Sequence, residues 1–283
     1  GGLFRWLAYH QGLETKNRED LIPSHHFPVK GTMFLRSGWS DDGTIMVFKS
    51  GPNSNHYHYD QGSIILQTNG EILLSEASLE TFHGYHAYYG STFYPFYTTQ
   101  AIGHNTMLVD NDPESQEPAD YRNGIAALQK WPRIQHAFAG WNADEVEGDL
   151  TCVYKGKLEK YTRSFLFMKP DIIFMYDRVN SPQGHSYHWL FHAEDTDNNS
   201  SIAQKGNRVL VNRPKARLIM DVLSPANIRG RIRMAERDER FLQLDSAENL
   251  TSAEFLAVLV PSAIKDSSDS EKKVSSRLLQ PRG

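Results

Sequence analysis

The sequence predicts an all-β protein built as a large antiparallel β-sandwich, with a short helix at its N-terminus. Two observations support this fold class. Short segments rich in β-branched and aromatic residues recur along most of the chain, and they end in turn-forming residues. Few helical patterns lie between these segments. Closely spaced strands with few intervening helices are typical of sandwiches.

The N-terminal segment has a different pattern from the rest of the chain. Leu3, Trp6 and Leu7 have roughly helical spacing, and a polar linker containing Pro23 follows them. From Phe27 onward the apolar residues repeat every second position, as in strands. The sequence therefore predicts three parts: the end of a helical domain with its linker (1–26), the sandwich (27–265) and a polar tail (266–283).

Two turns and one loop can be predicted within the sandwich. Asn69-Gly70, between two apolar segments, indicates a two-residue hairpin turn because both residues accept positive φ angles. Lys169-Pro170-Asp171 predicts a second turn between strands. The polar stretch 111–124 is expected to be a surface loop.

The composition excludes several classes of function. The formal net charge is −4 and the charges are interspersed, so there is no basic stripe for nucleic acid. Cys152 is the only cysteine, which rules out an intrachain disulfide or a cysteine metal cage and leaves cytoplasm and bacterial periplasm equally open. We expect no membrane span. Because the chain starts without Met or a signal peptide, we interpret it as a mature product, a trimmed chain or a fragment.

The most informative segment is Asn55-His56-Tyr57-His58-Tyr59-Asp60. In a strand, His56, His58 and Asp60 would share one face. Such a face is a poor core face, because burying an unpaired polar group costs roughly 2 kcal/mol or more. It suits metal binding or proton transfer, since imidazole is a common ligand and a base near neutral pH. The alternative is that these are ordinary exposed or hydrogen-bonded strand histidines.

Further candidate residues follow the same segment. A His-x-His pair supplies only two metal ligands, and Glu76 and His104 are the nearest additional candidates. The stretch 81–97 is rich in tyrosines, which transfer protons when a nearby base or cation activates them. The alternative for each tyrosine is that its ring packs in the core or stacks on sugar.

The order of these motifs resembles that of the heparinase II/III-like polysaccharide lyases. The similarity lies in N-H-x-H-x-D-x-G-S, a hairpin ending in an acidic residue, a tyrosine-rich loop, and G-H-N-T followed by an apolar strand and Asp110. A later strand pair, which begins at Arg163 and at Asp171, is also similar. It covers about residues 27–260. The resemblance implies a sandwich joined to an N-terminal (α/α) toroid, here reduced to its last helix, with a periplasmic or secreted bacterial location.

The resemblance also implies an activity and a set of site residues. These lyases cleave acidic polysaccharides by β-elimination, and heparin or heparan sulfate is a more natural expectation here than alginate. The implied residues are catalytic His56 and Tyr89, substrate-binding Asn55 and Tyr97, and the metal ligands His58, Glu76 and His104. Glu76 stands where the family usually has aspartate. The metal would be a structural divalent ion, with zinc favoured by the imidazoles.

The missing toroid has a consequence for this chain. The family's other catalytic groups belong to the toroid, so the chain alone is expected to have an incomplete active site. Two other classes of function stay open on the sequence: a non-catalytic carbohydrate-binding sandwich, and a metal-stabilised structural module.

Overall fold

The structure is a computed structural model that describes residues 17–52, 58–76, 97–116, 131–154, 156–194, 197–234 and 240–264. Within these ranges the chain is almost entirely antiparallel β structure. The only helices among the described residues are short 3₁₀ turns, at Arg18–Asp20, Tyr97–Thr99, Ala101–Gly103 and Thr151–Val153. The all-β prediction is therefore confirmed. The predicted N-terminal helix and polar tail lie outside the described residues, and the domain limits stay a prediction.

The first sheet is a five-stranded meander in which each strand pairs with the next. Its strands are β1 (His25–Phe27), β2 (Thr32–Arg36), β3 (Ile45–Lys49), β4 (Ile64–Thr68) and β5 (Glu71–Leu74). The predicted hairpin joins β4 to β5, with Asn69 at φ 50° and Gly70 at φ 73°. These positive angles are those that an Asn-Gly turn requires.

The second sheet has eight strands in the order β12-β13-β14-β17-β10-β9-β8-β7. Its strands are β7 (Arg133–Ala139), β8 (Ala143–Asp149), β9 (Lys160–Met168), β10 (Ile172–His185), β12 (Ser201–Lys205), β13 (Arg208–Asn212), β14 (Ala216–Ser224) and β17 (Leu250–Ala263). The predicted turn at Lys169-Pro170-Asp171 connects β9 to β10, whose first pair is Met168 with Ile172.

The third sheet has four strands in the order β15-β16-β11-β6. They are β6 (Met107–Val109), β11 (Tyr187–His192), β15 (Arg229–Met234) and β16 (Arg240–Asp245). A single bridge between Leu74 and Ala193 joins β11 to the end of β5. The backbone N–H of Ser75 also donates to the carbonyl of His192 at 3.0 Å. The five- and four-stranded sheets thus meet at a seam, where the end of β5 adjoins the chain just after β11.

The eight-stranded sheet packs against the other two to form the sandwich. Phe48 of the first sheet contacts Phe165 with ring centroids 5.1 Å apart, and Trp189 of the third stacks on Phe255 at 4.8 Å. Leucine, methionine, valine and aromatic side chains from all three sheets form one buried cluster between the layers. Burial of this apolar surface is the main stabilising contribution to such a fold. Among the described residues, no helix is long and apolar enough to span a membrane.

Two sequence expectations are wrong in the described part of the chain. His58 to Asp60 is not a strand but part of the loop between β3 and β4, which turns at Gly62 with φ 85°. The stretch 111–124 is not wholly a surface loop, because Gln116 is buried. Its side chain exchanges hydrogen bonds with the backbone of Gln61, at 3.0 Å and 2.8 Å.

Candidate active site

Three of the predicted site residues converge at the seam between the two smaller sheets. His58 precedes β4, Glu76 follows β5 and His104 precedes β6. The rings of His58 and His104 have centroids 5.2 Å apart. Nδ1 of His104 lies 3.4 Å from Oε1 of Glu76. Residues that are distant in the sequence are therefore brought into one cluster.

Asn105 holds the segments that carry this cluster. Its side-chain amide donates to the carbonyls of Ile64 at 2.7 Å and Ser75 at 2.6 Å. Its Oδ1 accepts the backbone N–H of His192 at 2.7 Å. Ser75 directly precedes Glu76, and Asn105 directly follows His104. The buried amide of Asn105 therefore fixes the loops that carry these two candidate ligands.

A buried ion pair supports the same loops from the core. Arg163 and Asp177 are 1% and 0% exposed, and they form two hydrogen bonds of 2.8 Å and 2.7 Å. Nη1 of Arg163 also donates to the carbonyls of Gly62 at 2.6 Å and Asn105 at 2.8 Å. Arginine suits this position because its planar fork donates in several directions at once. The pair thus ties the eight-stranded sheet to both loops of the site.

Tyr97 lies beside the cluster and contacts a histidine that the sequence did not single out. Its hydroxyl is 2.9 Å from Nε2 of His192, a buried residue of β11. Phe241 stacks on the His192 ring at 4.8 Å. No sequence pattern points to this contact, because all residues of β11 are buried and Tyr97 is distant along the chain.

The pKa values of the histidines and the glutamate at the seam are shifted in different directions. Burial, and next the charge of His104, lower the pKa of His58 to about 4. Burial similarly lowers the pKa of His192 to about 3. Burial opposes the charged forms of Glu76 and His104, but their attraction outweighs it: the pKa of Glu76 falls to about 2 and that of His104 is raised. At neutral pH His58 is a neutral imidazole and Glu76 a carboxylate.

The donor types at the seam, two imidazoles and a carboxylate, are ones that bind divalent metal ions in proteins. His104 is 1% exposed; its Nδ1 faces Oε1 of Glu76, whereas its Nε2 has no hydrogen-bond partner within the described part of the chain. A buried polar atom without a partner is costly unless a ligand satisfies it. However, no group of three or more His, Cys, Asp and Glu among the described residues is arranged to hold a metal.

Asp60 has a role that differs from the sequence expectation. Its carboxylate accepts two hydrogen bonds of 2.6 Å from Nζ of Lys49 in β3, so it is an ion-pair partner, and its negative charge also acts on His58 and His104. Asn55, His56 and Tyr89 lie outside the described residues, and their assignments stay predictions.

The described residues thus form an antiparallel sandwich with a histidine-rich seam between its two smaller sheets. Residues 19–254 match the family model described as heparinase II/III-like, C-terminal. The chain belongs to this family, which confirms the resemblance inferred from the motifs. Comparison with curated proteins finds no significant match.

Solved structures agree with the fold assignment. Heparan sulfate lyase HepC from Pedobacter heparinus superposes with a TM-score of 0.68 at 18% identity, covering 86% of this chain and 37% of HepC. The heparinase III described as the BT4657 gene product gives 0.66 at 17% identity, over 87% of this chain and 37% of its own. Another heparinase III gives 0.65 at 14% identity, over 88% and 38%. The chain thus spans less than two fifths of these proteins.

Proposed function

We propose that this chain is the metal-binding β-sandwich portion of a polysaccharide lyase that cleaves uronic-acid-containing glycans by β-elimination. Heparin or heparan sulfate is the preferred substrate class, with alginate second. The observation that supports the proposal most is the convergence of His58, Glu76 and His104 at the seam of a heparinase II/III-like sandwich. The protein would act in the periplasm or outside a bacterial cell.

The reaction divides the work among the proposed residues. A base removes the proton at C5 of the uronate, an acid protonates the departing oxygen at C4, and the carboxylate is neutralised so that charge can build up in the transition state. We assign His56 and Tyr89 to the proton transfers and Asn55 to substrate binding. Tyr97 would form a wall of the substrate cleft, because its hydroxyl is already hydrogen-bonded to His192.

His58, Glu76 and His104 would hold a structural divalent ion, with zinc favoured by the two imidazoles. When bound, the ion would supply a cross-link between the loops before β4, after β5 and before β6. The buried His104 ring would then have a partner for a nitrogen that lacks one among the described residues. In this proposal the toroid domain supplies the remaining catalytic groups, so the chain alone has an incomplete active site.

An absorbance assay tests this function. Each new C4–C5 double bond is conjugated to the uronate carboxylate and absorbs in the ultraviolet. We expect absorbance to grow on heparan sulfate when the chain is joined to an N-terminal toroid domain, and not on a neutral polysaccharide. New reducing ends without absorbance would indicate a hydrolase, and binding without either product would indicate a carbohydrate-binding module.

A further inference from the structure

The unusual feature outside the seam is the environment of Arg233 on the edge strand β15. Its Nη1 donates to Oε1 of Gln243 at 2.8 Å and to Oδ1 of Asn111 at 3.1 Å. Its guanidinium carbon lies 5.6 Å from the centroid of the Phe241 ring, within the range of a cation–π contact. The side chain is half-buried and held in place from one side.

Three other arginines that are fixed by several hydrogen bonds each have a carboxylate partner. Arg163 pairs with Asp177, Arg208 with Asp221 and Arg213 with Asp197. Arg233 is held only by amide oxygens and an aromatic ring, and within the described ranges no carboxylate contacts it. Its positive charge is therefore not compensated by any carboxylate among the described residues.

The guanidinium also has an unused edge. Both of its hydrogen bonds come from Nη1, while Nε and Nη2 donate to no group among the residues that the structure describes. These two nitrogens form the fork that binds the two oxygens of a carboxylate or a sulfate in parallel. A cation that is fixed beforehand loses little conformational entropy when an anion binds.

The position of Arg233 relates it to the candidate site. In the strand register, Arg233 pairs with Phe241, and Phe241 pairs with His192. Paired strands are about 5 Å apart, which places Arg233 roughly 10 Å from His192 along one row. Leu190, His192 and Phe241 belong with Tyr97 to the side of this sheet that faces away from the main core. Arg233 is thus on the face that carries the seam site.

We propose that Arg233 is an anion subsite that binds a carboxylate or sulfate group of an acidic glycan chain lying across this face. The glycan identity rests on the proposed function, whereas the anion preference rests on the arginine itself. Arg231, next on the same face, is bonded to Asp245 at 2.8 Å and is therefore a charge-compensated neighbour rather than the subsite.

Binding measurements on the full chain test the subsite. The probes are a size-defined heparin oligosaccharide, its desulfated counterpart and a neutral glucan oligosaccharide. We expect Arg233→Gln to weaken heparin binding roughly tenfold, the effect of losing one charge-assisted contact of about 1.4 kcal/mol. Arg233→Lys keeps the charge but not the fork, so its loss should be smaller. Arg208→Gln, an exposed arginine of the eight-stranded sheet, is the matched control and should bind as the wild type does.

The outcomes separate the subsite from the proposed lyase function. A tenfold loss that persists with the desulfated probe identifies a carboxylate, and a loss seen only with heparin identifies a sulfate. Three outcomes would overturn the subsite. Arg233→Gln and Arg208→Gln could weaken heparin binding equally, or Arg233→Gln could weaken binding of the neutral glucan as much as that of heparin. The third is that the wild type binds no anionic probe. If Arg233 matters for binding but the toroid-linked protein produces no unsaturated uronate, the subsite stands and the lyase proposal fails.

Discussion

At the scale of single residues, Asn105 and His104 have opposite roles. Asn105 has all of its side-chain polar atoms engaged, and it fixes the backbone of Ile64, Ser75 and His192. His104 is equally buried and its Nδ1 faces Glu76, but its Nε2 makes no hydrogen bond within the described part of the chain. A satisfied buried amide organises structure, whereas an unsatisfied buried imidazole is a place for a ligand.

We expect Asn105→Ala to destabilise the protein by about 2–5 kcal/mol, because it leaves buried backbone groups without partners. Chemical denaturation followed by circular dichroism measures this loss. Asn142→Ala is the control, since Asn142 is exposed and should change stability by less than about 0.5 kcal/mol. Equal stabilities of the two variants would contradict the organising role of Asn105.

We expect protein purified without added metal to contain about one divalent ion per chain, since ligand sites of this kind couple binding to folding. His58→Ala and His104→Ala should each lose most of the ion and lower the melting temperature. His136→Ala is a matched control, because the His136 side chain is 57% exposed and its ring nitrogen pairs with Glu145 rather than with the seam residues. Elemental analysis provides the measurement. Full metal occupancy in His58→Ala would show that the ligand assignment is wrong.

At the scale of elements, the turns that a few adjacent residues determine could be predicted from the sequence. The Asn69-Gly70 hairpin and the turn before β10 form where the sequence predicts them, because a few adjacent residues determine them. The loop at His58 to Asp60 could not be predicted by alternation. The ion pair of Asp60 with Lys49 and the positive φ of Gly62 override the strand pattern there. No short sequence pattern predicts the contacts of Arg163 with Gly62 and Asn105, because these residues are distant along the chain.

We expect Arg163→Lys to destabilise the protein by about 2–4 kcal/mol, because lysine cannot reach Asp177 and both carbonyls together. Hydrogen exchange should rise first at residues 58–64 and 104–106, whose backbone Arg163 holds. In Arg213→Lys the same measurement should show increased exchange near Glu71 and Asp197 instead. A uniform increase over the whole chain in Arg163→Lys would mean that the pair supports the core alone.

At the scale of the whole molecule, the seam explains how a β-sandwich builds a site. The two smaller sheets join through one bridge at Leu74 and Ala193, and loops from both sheets end there. The motif order indicated that His58, Glu76 and His104 belong to one site, and the structure brings them together. The neighbouring His192 and Arg233 could not be found from the sequence, because their relation depends on pairing between strands that are distant along the chain.

The central claim is that the histidine-rich segment has two separate roles: His58 belongs to the metal cluster, and His56 acts on the uronate. The most direct measurement is the ultraviolet absorbance of unsaturated uronate formed by the toroid-linked protein carrying His56→Ala, together with its metal content. We expect turnover to fall on the order of 100-fold, the scale of lost general acid–base catalysis, while the metal and the melting temperature stay nearly unchanged. Loss of the metal would instead make His56 a ligand, and an unchanged rate would contradict its catalytic role.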